Sequence, residues 1–330
     1  MEQRPTEFDD GDVRSALIHH HGIDPGELRY RAVGFGDYHW EAVGADGRRW
    51  FVKVSDLTDK PQCGATAAAA LTRYRAAMRT TAGLVAGGLR FVLAPEPSLA
   101  GDLVADLDGR WALSLFAHVE VTSNRDFYTE LSPADRDHLL TLLARLHTAP
   151  APEGTPVHTP DVPERAVLEE ALAGQDVSWS GGPFSEPARQ AVVTHTTTIR
   201  DRLAEADALI HRLRTSGRPV VITHGEPHPG NLLDTDDGHL LIDWDTVGLG
   251  VPERDLAVVG GDLSAYTDAT GHEPDRHALE LYQLRWRLAD LGEFLRWFHN
   301  PHADDSDSRI AWEGLLQTLT DLDGGAQAPT

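Results

Sequence analysis

The chain has little that would tie it to an oxidising compartment or to a bilayer. It holds a single cysteine, Cys63, among 330 residues, so an intrachain disulfide is impossible. Nothing in sequence pairs with Cys63 to make a nucleophile, and it reads as a small residue near a helix start. No run of about 18 uncharged apolar residues occurs, which argues against a transmembrane helix and membrane partners. The opening stretch MEQRPTEFDDGD lacks the basic-then-apolar order of a secretory leader. These absences predict a cytoplasmic protein. Basic residues are also scarce: Lys plus Arg number 29 against 52 Asp plus Glu, a net charge of -23. Such a surface repels nucleic acid and anionic lipid and attracts a cationic small molecule, although acidity also serves plain solubility.

What is present reads as globular. Hydrophobic residues make up 41% of the chain, and 330 residues suffice for two lobes of ordinary size. Residues 10–20 have helical spacing. Residues 30–57 alternate between apolar and polar and are punctuated by Gly34, Gly36, Gly44 and Gly47, with Ala45-Asp46-Gly47 as a hairpin turn. An Ala-rich helix is expected over 66–81. RFVLAPEPS (90–98) and residues 102–120 read as three further strands, with a turn at Leu107-Asp108-Gly109. Beyond 120 the pattern turns helical: 135–147, 164–173, one long element over 185–216, 279–300 and 309–322, with 266–271 as a loop and 324–330 as a frayed tail. The expected architecture is α+β, with a small antiparallel-sheet lobe over 1–118 and a larger, mostly helical lobe over 119–330.

One stretch is too rich in functional groups for an ordinary turn. VVITHGEPHPGNLL, residues 220–233, sets Glu226, His224, His228 and Asn231 between apolar runs. Asn231 follows Glu226 by five residues, and Asp243 follows it by seventeen, at the end of the apolar run LLID. A carboxylate, an amide and a second carboxylate across a hairpin suit phosphoryl transfer. Glu226 would orient the attacking hydroxyl, while Asn231 and Asp243 would hold Mg²⁺ against the phosphates of ATP. Upstream, Lys53 lies mid-strand in WFVKV and needs an anionic partner, which a nucleotide phosphate supplies. Gly34 and Gly36 would let backbone amides approach those phosphates. A zinc pair of His224 and His228 would need a helix, which Gly225, Pro227 and Pro229 forbid, and His224 reads instead as a loop-shaping hydrogen-bonder.

At these residues the chain resembles the aminoglycoside phosphotransferase family of protein-kinase-like folds, over roughly residues 30–300. HGEPHPGN resembles that family's catalytic loop, LIDWD its metal-binding strand end, and PERDLA a segment whose Asp255 would support the loop. LLARLH, ending at His147, is similar to a helix of these enzymes. The resemblance implies an ATP- and Mg²⁺-dependent small-molecule kinase acting on a hydroxyl, in the class that includes antibiotic resistance enzymes. The adenine is expected against 115–119, with Phe116 and His118 beside it. The acceptor is expected to be small and cationic, held by Asp245, Asp290 and Glu293, in a monomer or homodimer. Asp245 also reads as a plain solvated strand-end residue.

The chain departs from the family pattern twice. The catalytic Asp is replaced by Glu226, whose extra methylene moves the carboxylate by about 1.5 Å on a fixed backbone. The helix after Lys53 carries no acidic residue to pair with it, which leaves Asp56 or the nucleotide itself to orient the lysine. These departures motivate an alternative, a catalytically weak or silent nucleotide-binding relative with a regulatory or scaffold role.

Overall fold

The computed structural model describes residues 1–34, 36–60, 63–123, 125–127 and 129–324. The chain forms two compact units, Met1–His158 with Val221–Gly250, and Thr159–Val220 with Val251–Thr330. The boundary expected at 118/119 falls inside the first unit.

The first unit opens with α1 (Asp10–Ala16), whose N-terminal amides are capped by Asp9, and which runs into a π-helical turn over Leu17–His21. Strands β1 (Glu27–Arg31), β2 (Tyr38–Val43), β3 (Arg49–Asp56), β4 (Ala105–Leu107) and β5 (Trp111–Ala117) form an antiparallel sheet in the order β1-β2-β3-β5-β4. Between β3 and β4 lies α2 (Ala67–Ala86), and after β5 comes α3 (Pro133–His147). Two small ribbons complete the unit: β6 (Val221–Thr223) paired with β9 (Gly248–Gly250), and β7 (Leu232–Thr235) paired with β8 (Gly238–Leu241).

The twofold side-chain period of a strand decides where Lys53 goes. Val52 and Val54 of β3 and Leu113 and Leu115 of β5 share one face, packed with Trp40 and with Val13 and Leu17 of the N-terminal helical segment. Each such buried side chain contributes about 1.5–3 kcal/mol. Lys53 and its β5 partner Ser114 therefore point the other way, beneath α2, where the Tyr74 hydroxyl lies 2.9 Å from Ser114 Oγ.

In the second unit, α4 (Arg165–Ala173), α5 (Ser185–Thr194), α6 (Thr196–Thr215), α7 (Glu253–Val259), α8 (Ser264–Thr270), α9 (Arg276–His299) and α10 (Ser306–Asp323) enclose a core around Leu203, Leu288, Leu295, Phe298 and Leu315. The α+β expectation holds: a five-stranded antiparallel sheet and a mostly helical remainder.

Several local expectations are corrected. Residues 90–98 form only isolated bridges, at Val92 and Glu96, because Pro95 and Pro97 lack ladder donors. The helix expected over 185–216 breaks at His195, in a run of β-branched threonines. Residues 266–271 belong largely to α8, which ends at Gly271 in the left-handed region. The strand whose end LIDWD was expected to form stops at Leu241, so Asp243 lies beyond it. Residues 325–330 of the expected tail lie outside the described residues.

Candidate active site

The stretch HGEPHPGN joins β6 to β7, and its own side chains hold its backbone. Glu226 donates its backbone N–H to His224 Nδ1 at 3.2 Å, while the other ring nitrogen of His224 lies 2.9 Å from the carbonyl of Ile242. A carbonyl only accepts, so Nε2 carries the proton and Nδ1 is the acceptor. The buried His224 ring packs against Trp244 with centroids 4.4 Å apart. Asn231 Nδ2 donates to the Glu226 carbonyl at 2.9 Å and lies 3.0 Å from His228 Nε2. The peptide groups of Glu226 are thus pinned on both sides. With the Asn231 NH2 committed to the loop, its Oδ1 is the atom left to face a cation. Burial, and then the neighbouring His224, hold the His228 imidazole down to about 4, so it is neutral and able to accept from Asn231.

The Ile242 N–H donates to the Asn231 carbonyl, which ties the loop to the segment bearing Asp243. Asp243 adopts φ 62°, a left-handed conformation that costs a side-chain-bearing residue energy and that occurs at functional turns. The bend carries its carboxylate to Lys53 Nζ, 2.6 Å from Oδ1.

Lys53 also meets Asp37 Oδ2 at 2.8 Å and Asp245 Oδ2 at 2.9 Å. The same two oxygens take a second lysine: Lys60 Nζ lies 2.9 Å from Asp37 Oδ2 and 2.7 Å from Asp245 Oδ2. Asp37, Lys53, Asp245 and Lys60 therefore close a ring of alternating charge. Their side chains are 5–8% exposed, whereas Asp243, outside the ring, is 41% exposed. Burial would lower both ammonium groups, but the surrounding carboxylates hold them well above the ordinary lysine range. Burial would raise Asp37, and the two lysines hold it well below the usual carboxylate range. In Asp243, desolvation pushes the carboxyl up, Lys53 more than offsets this, and the group lies at about 2. Lys53, Lys60, Asp37 and Asp243 are ionised at neutral pH in this arrangement.

The donor set suits a hard cation. Oxygens of Asp37, Asp243 and Asp245 lie within 4.8 Å of one another, and Asp37 Oδ1 is buried with no hydrogen-bond partner among the described residues. Asp37 follows the glycine loop between β1 and β2, in which Gly34 and Gly36 take φ of 69° and 90°, conformations that favour glycine. His39 approaches the Val33 carbonyl at 3.0 Å and stacks on Phe51, bracing that loop from β2.

Of the residues expected at the site, Lys53, Asp243 and Asp245 are brought together, and Glu226, His224 and Asn231 share one hydrogen-bonded loop. Asp245 stands in the buried ring and is not a solvated strand-end residue. Asp56 does not orient Lys53: its carboxylate takes Arg110 at 2.7 Å and caps Thr58. Phe116 and His118 lie at the end of β5, where the His118 N–H donates to the Arg49 carbonyl and its ring lies 2.9 Å from the Arg49 guanidinium. Asp255 is fully buried on α7, and Asp290 and Glu293 are half-buried on α9, all in the second unit.

Sequence reasoning missed Asp37, His39 and Lys60. A signal for the last was available: the chain contains two lysines among 29 basic residues, Lys53 and Lys60, and both are in the ring. An arginine-using chain that keeps lysine twice, seven residues apart, marks places where a compact ammonium is needed.

This sheet, this loop and this cluster of lysine and carboxylates define a protein-kinase-like phosphotransferase. The sequence pattern of the phosphotransferase enzyme family (APH) matches residues 27–298, and the chain belongs to that family. Protein StrN of Streptomyces griseus is 28% identical over 251 residues, covering 72% of this chain and 75% of StrN. Spectinomycin phosphotransferase APH(9)-Ia, solved with ADP and spectinomycin, superposes with a TM-score of 0.70 at 14% identity, over 95% of this chain and 97% of that one. Amicoumacin kinase hAmiN, in complex with AMP-PNP, Ca²⁺ and Ami, gives 0.59 at 13% identity, over 96% and 94%.

Proposed function

We propose that the protein transfers the γ-phosphoryl group of ATP, with Mg²⁺, to a hydroxyl of a small amine-bearing molecule, an aminoglycoside-like antibiotic or a related metabolite. The observation that carries this reading is the convergence of Lys53, Asp243 and a buried carboxylate, Asp37, beside a loop that pins Glu226. Lys53 is assigned to the nucleotide phosphates, with backbone amides around Gly34 and Gly36, and the segment with Phe116 and His118 to the adenine. Asp243 and Asn231, with Asp37 and Asp245 adjoining, are the residues that would hold Mg²⁺. When bound, the ion would neutralise charge on the phosphates. The loop supports this reading through the backbone of Glu226: its amide and carbonyl are both tied down, which fixes the point from which its carboxylate reaches an acceptor hydroxyl. His224 supports the loop from within.

Nucleotides and a divalent ion bound to the structural relatives support the cofactor assignment. The net charge of -23 supports a cationic acceptor, and Asp290 and Glu293 are the carboxylates assigned to its amines. The second reading, a silent nucleotide-binding relative, is favoured by one observation: Lys53 is already paired with three carboxylates. An ATP-consumption screen against amine-bearing antibiotics and metabolites separates the two. Magnesium-dependent turnover with any acceptor supports the kinase, and ADP binding without turnover across the panel supports the silent relative.

A further inference from the structure

We propose that Lys60 is the positioning residue for Lys53, holding the two buried carboxylates that hold it and so replacing the acidic partner that α2 lacks. This rests on the phosphotransferase reading above.

The helix over β3 offers no carboxylate. From α2, Tyr74 presents its ring 6.0 Å from Lys53 Nζ and 5.8 Å from Lys60 Nζ, with its hydroxyl turned to Ser114. A ring can accommodate an ammonium but does not fix its direction as a carboxylate does. Direction comes from Asp37 and Asp245, which reach Lys53 from the glycine loop and from the turn after β8. Two buried carboxylates around one ammonium leave an unbalanced negative charge, and taking charges out of water is costly unless they are paired. Lys60 removes the imbalance: two ammoniums and two carboxylates make the ring neutral.

The backbone of Lys60 is placed for this task. It follows the short 3₁₀ turn Leu57–Asp59, which Asp56 caps, and its carbonyl accepts from the N–H groups of Cys63 and Gly64. The ring also separates two kinds of contact to Lys53. The ammonium donates to Asp243 and Asp245 and forms an ion pair with Asp37. To donate to a phosphate, Lys53 must release one, and Asp243 is the one that solvent reaches. Lys60 keeps Asp37 and Asp245 in place, so Lys53 stays aimed when Asp243 lets go.

The test is Lys60→Met, Asp37→Asn and the double variant, each compared with wild type for ADP binding by calorimetry and for ATP turnover with one confirmed acceptor. Lys60→Met should weaken ADP binding and lower kcat, each by about tenfold or more, with the acceptor KM changed less than about twofold. The double variant should be no worse than the poorer single one, because residues acting as a unit are not additive. Effects that multiply would assign Lys60 an independent role and overturn the inference, as would a Lys60→Met protein that binds ADP like wild type. Should Lys60→Met not fold by circular dichroism, Lys60→Gln, which fills the site without the charge, carries the same comparison: it must bind ADP at least about fivefold more weakly than wild type, and wild-type affinity overturns the inference. A wild-type protein that neither binds ADP nor consumes ATP overturns the phosphotransferase reading together with this one, whereas an active wild type matched by Lys60→Met overturns this one alone.

Discussion

Lys53 Nζ lies 2.6 Å from Asp243 Oδ1, across 190 residues of sequence. The contact joins the middle of a sheet strand to a strained turn that follows a ribbon strand. It also makes Asp243 the exposed member of a five-charge cluster whose other four members are buried.

Asp243→Asn should abolish turnover while the fold persists. Asn tolerates the left-handed backbone at φ 62° about as well as Asp, so the variant removes charge and not shape. Asp243→Ala would add a backbone penalty of about 1–2 kcal/mol and confuse the result. A folded Asp243→Asn protein with full turnover would sink the kinase reading.

Glu226 tests the loop's adaptation to the longer side chain. Glu226→Gln keeps the reach and loses the charge, and Glu226→Asp keeps the charge and shortens the arm. Because the Glu226 peptide groups are pinned by His224 and Asn231, the backbone does not follow a shorter side chain inward. Both variants should therefore lower kcat, on the order of tenfold or more each at saturating ATP. A Glu226→Gln enzyme matching the parent would remove the side chain from the chemistry.

Lys53→Ala should have two separable effects. It should raise the KM for ATP, lower kcat or both, with acceptor affinity little changed. It should also leave Asp37, Asp243 and Asp245 facing Lys60 alone, and breaking a buried pair costs about 3–5 kcal/mol, readable as a lower urea midpoint. Unchanged ATP dependence would mean that the lysine only serves the sheet.

Acidification should loosen the protein before the carboxylates titrate. Burial holds His39 and His228 at about 4, below the ordinary imidazole value near 6.5. In that window the unfolded chain binds more protons than the folded one, so stability is whole above pH 6.5 and is lost as pH falls toward 4. The thermal midpoint at pH 5 should lie several degrees below that at pH 7, since about 1 kcal/mol shifts a unit of this size by roughly 2–4 °C. His39→Gln, which keeps a donor toward the Val33 carbonyl, should flatten the profile. A wild-type midpoint constant from pH 7 to 5 would contradict the neutral, half-buried state of both rings.

Much of the site could be read from the linear chain because its parts are local. Glu226, His224 and Asn231 lie within eight residues, and a loop that short must bring them near one another whatever surrounds it. The sheet was legible for the same reason: its hairpins turn at Gly47 and at Asp108-Gly109, and its alternation sets Lys53 on the face opposite Val52 and Val54. Where local signals conflicted, the reading erred, as in RFVLAPEPS, whose apolar run looks like a strand and whose two prolines prevent one.

The partner of Lys53 was a different kind of question. The alternation said that the lysine points inward, and the sequence of α2 carries no acid, which left Asp56 or a nucleotide as its partner. Folding instead brings Asp37 from one loop, Lys60 from a turn, and Asp243 and Asp245 from a hairpin nearly 190 residues away onto one ammonium. No period or spacing encodes that meeting. Asp245, for one, reads as a solvated strand end. Whether a charge is a surface ornament or part of a buried ring depends on how much water is excluded around it and on which opposite charges come within about 3 Å. Those quantities exist only once the chain has closed on itself.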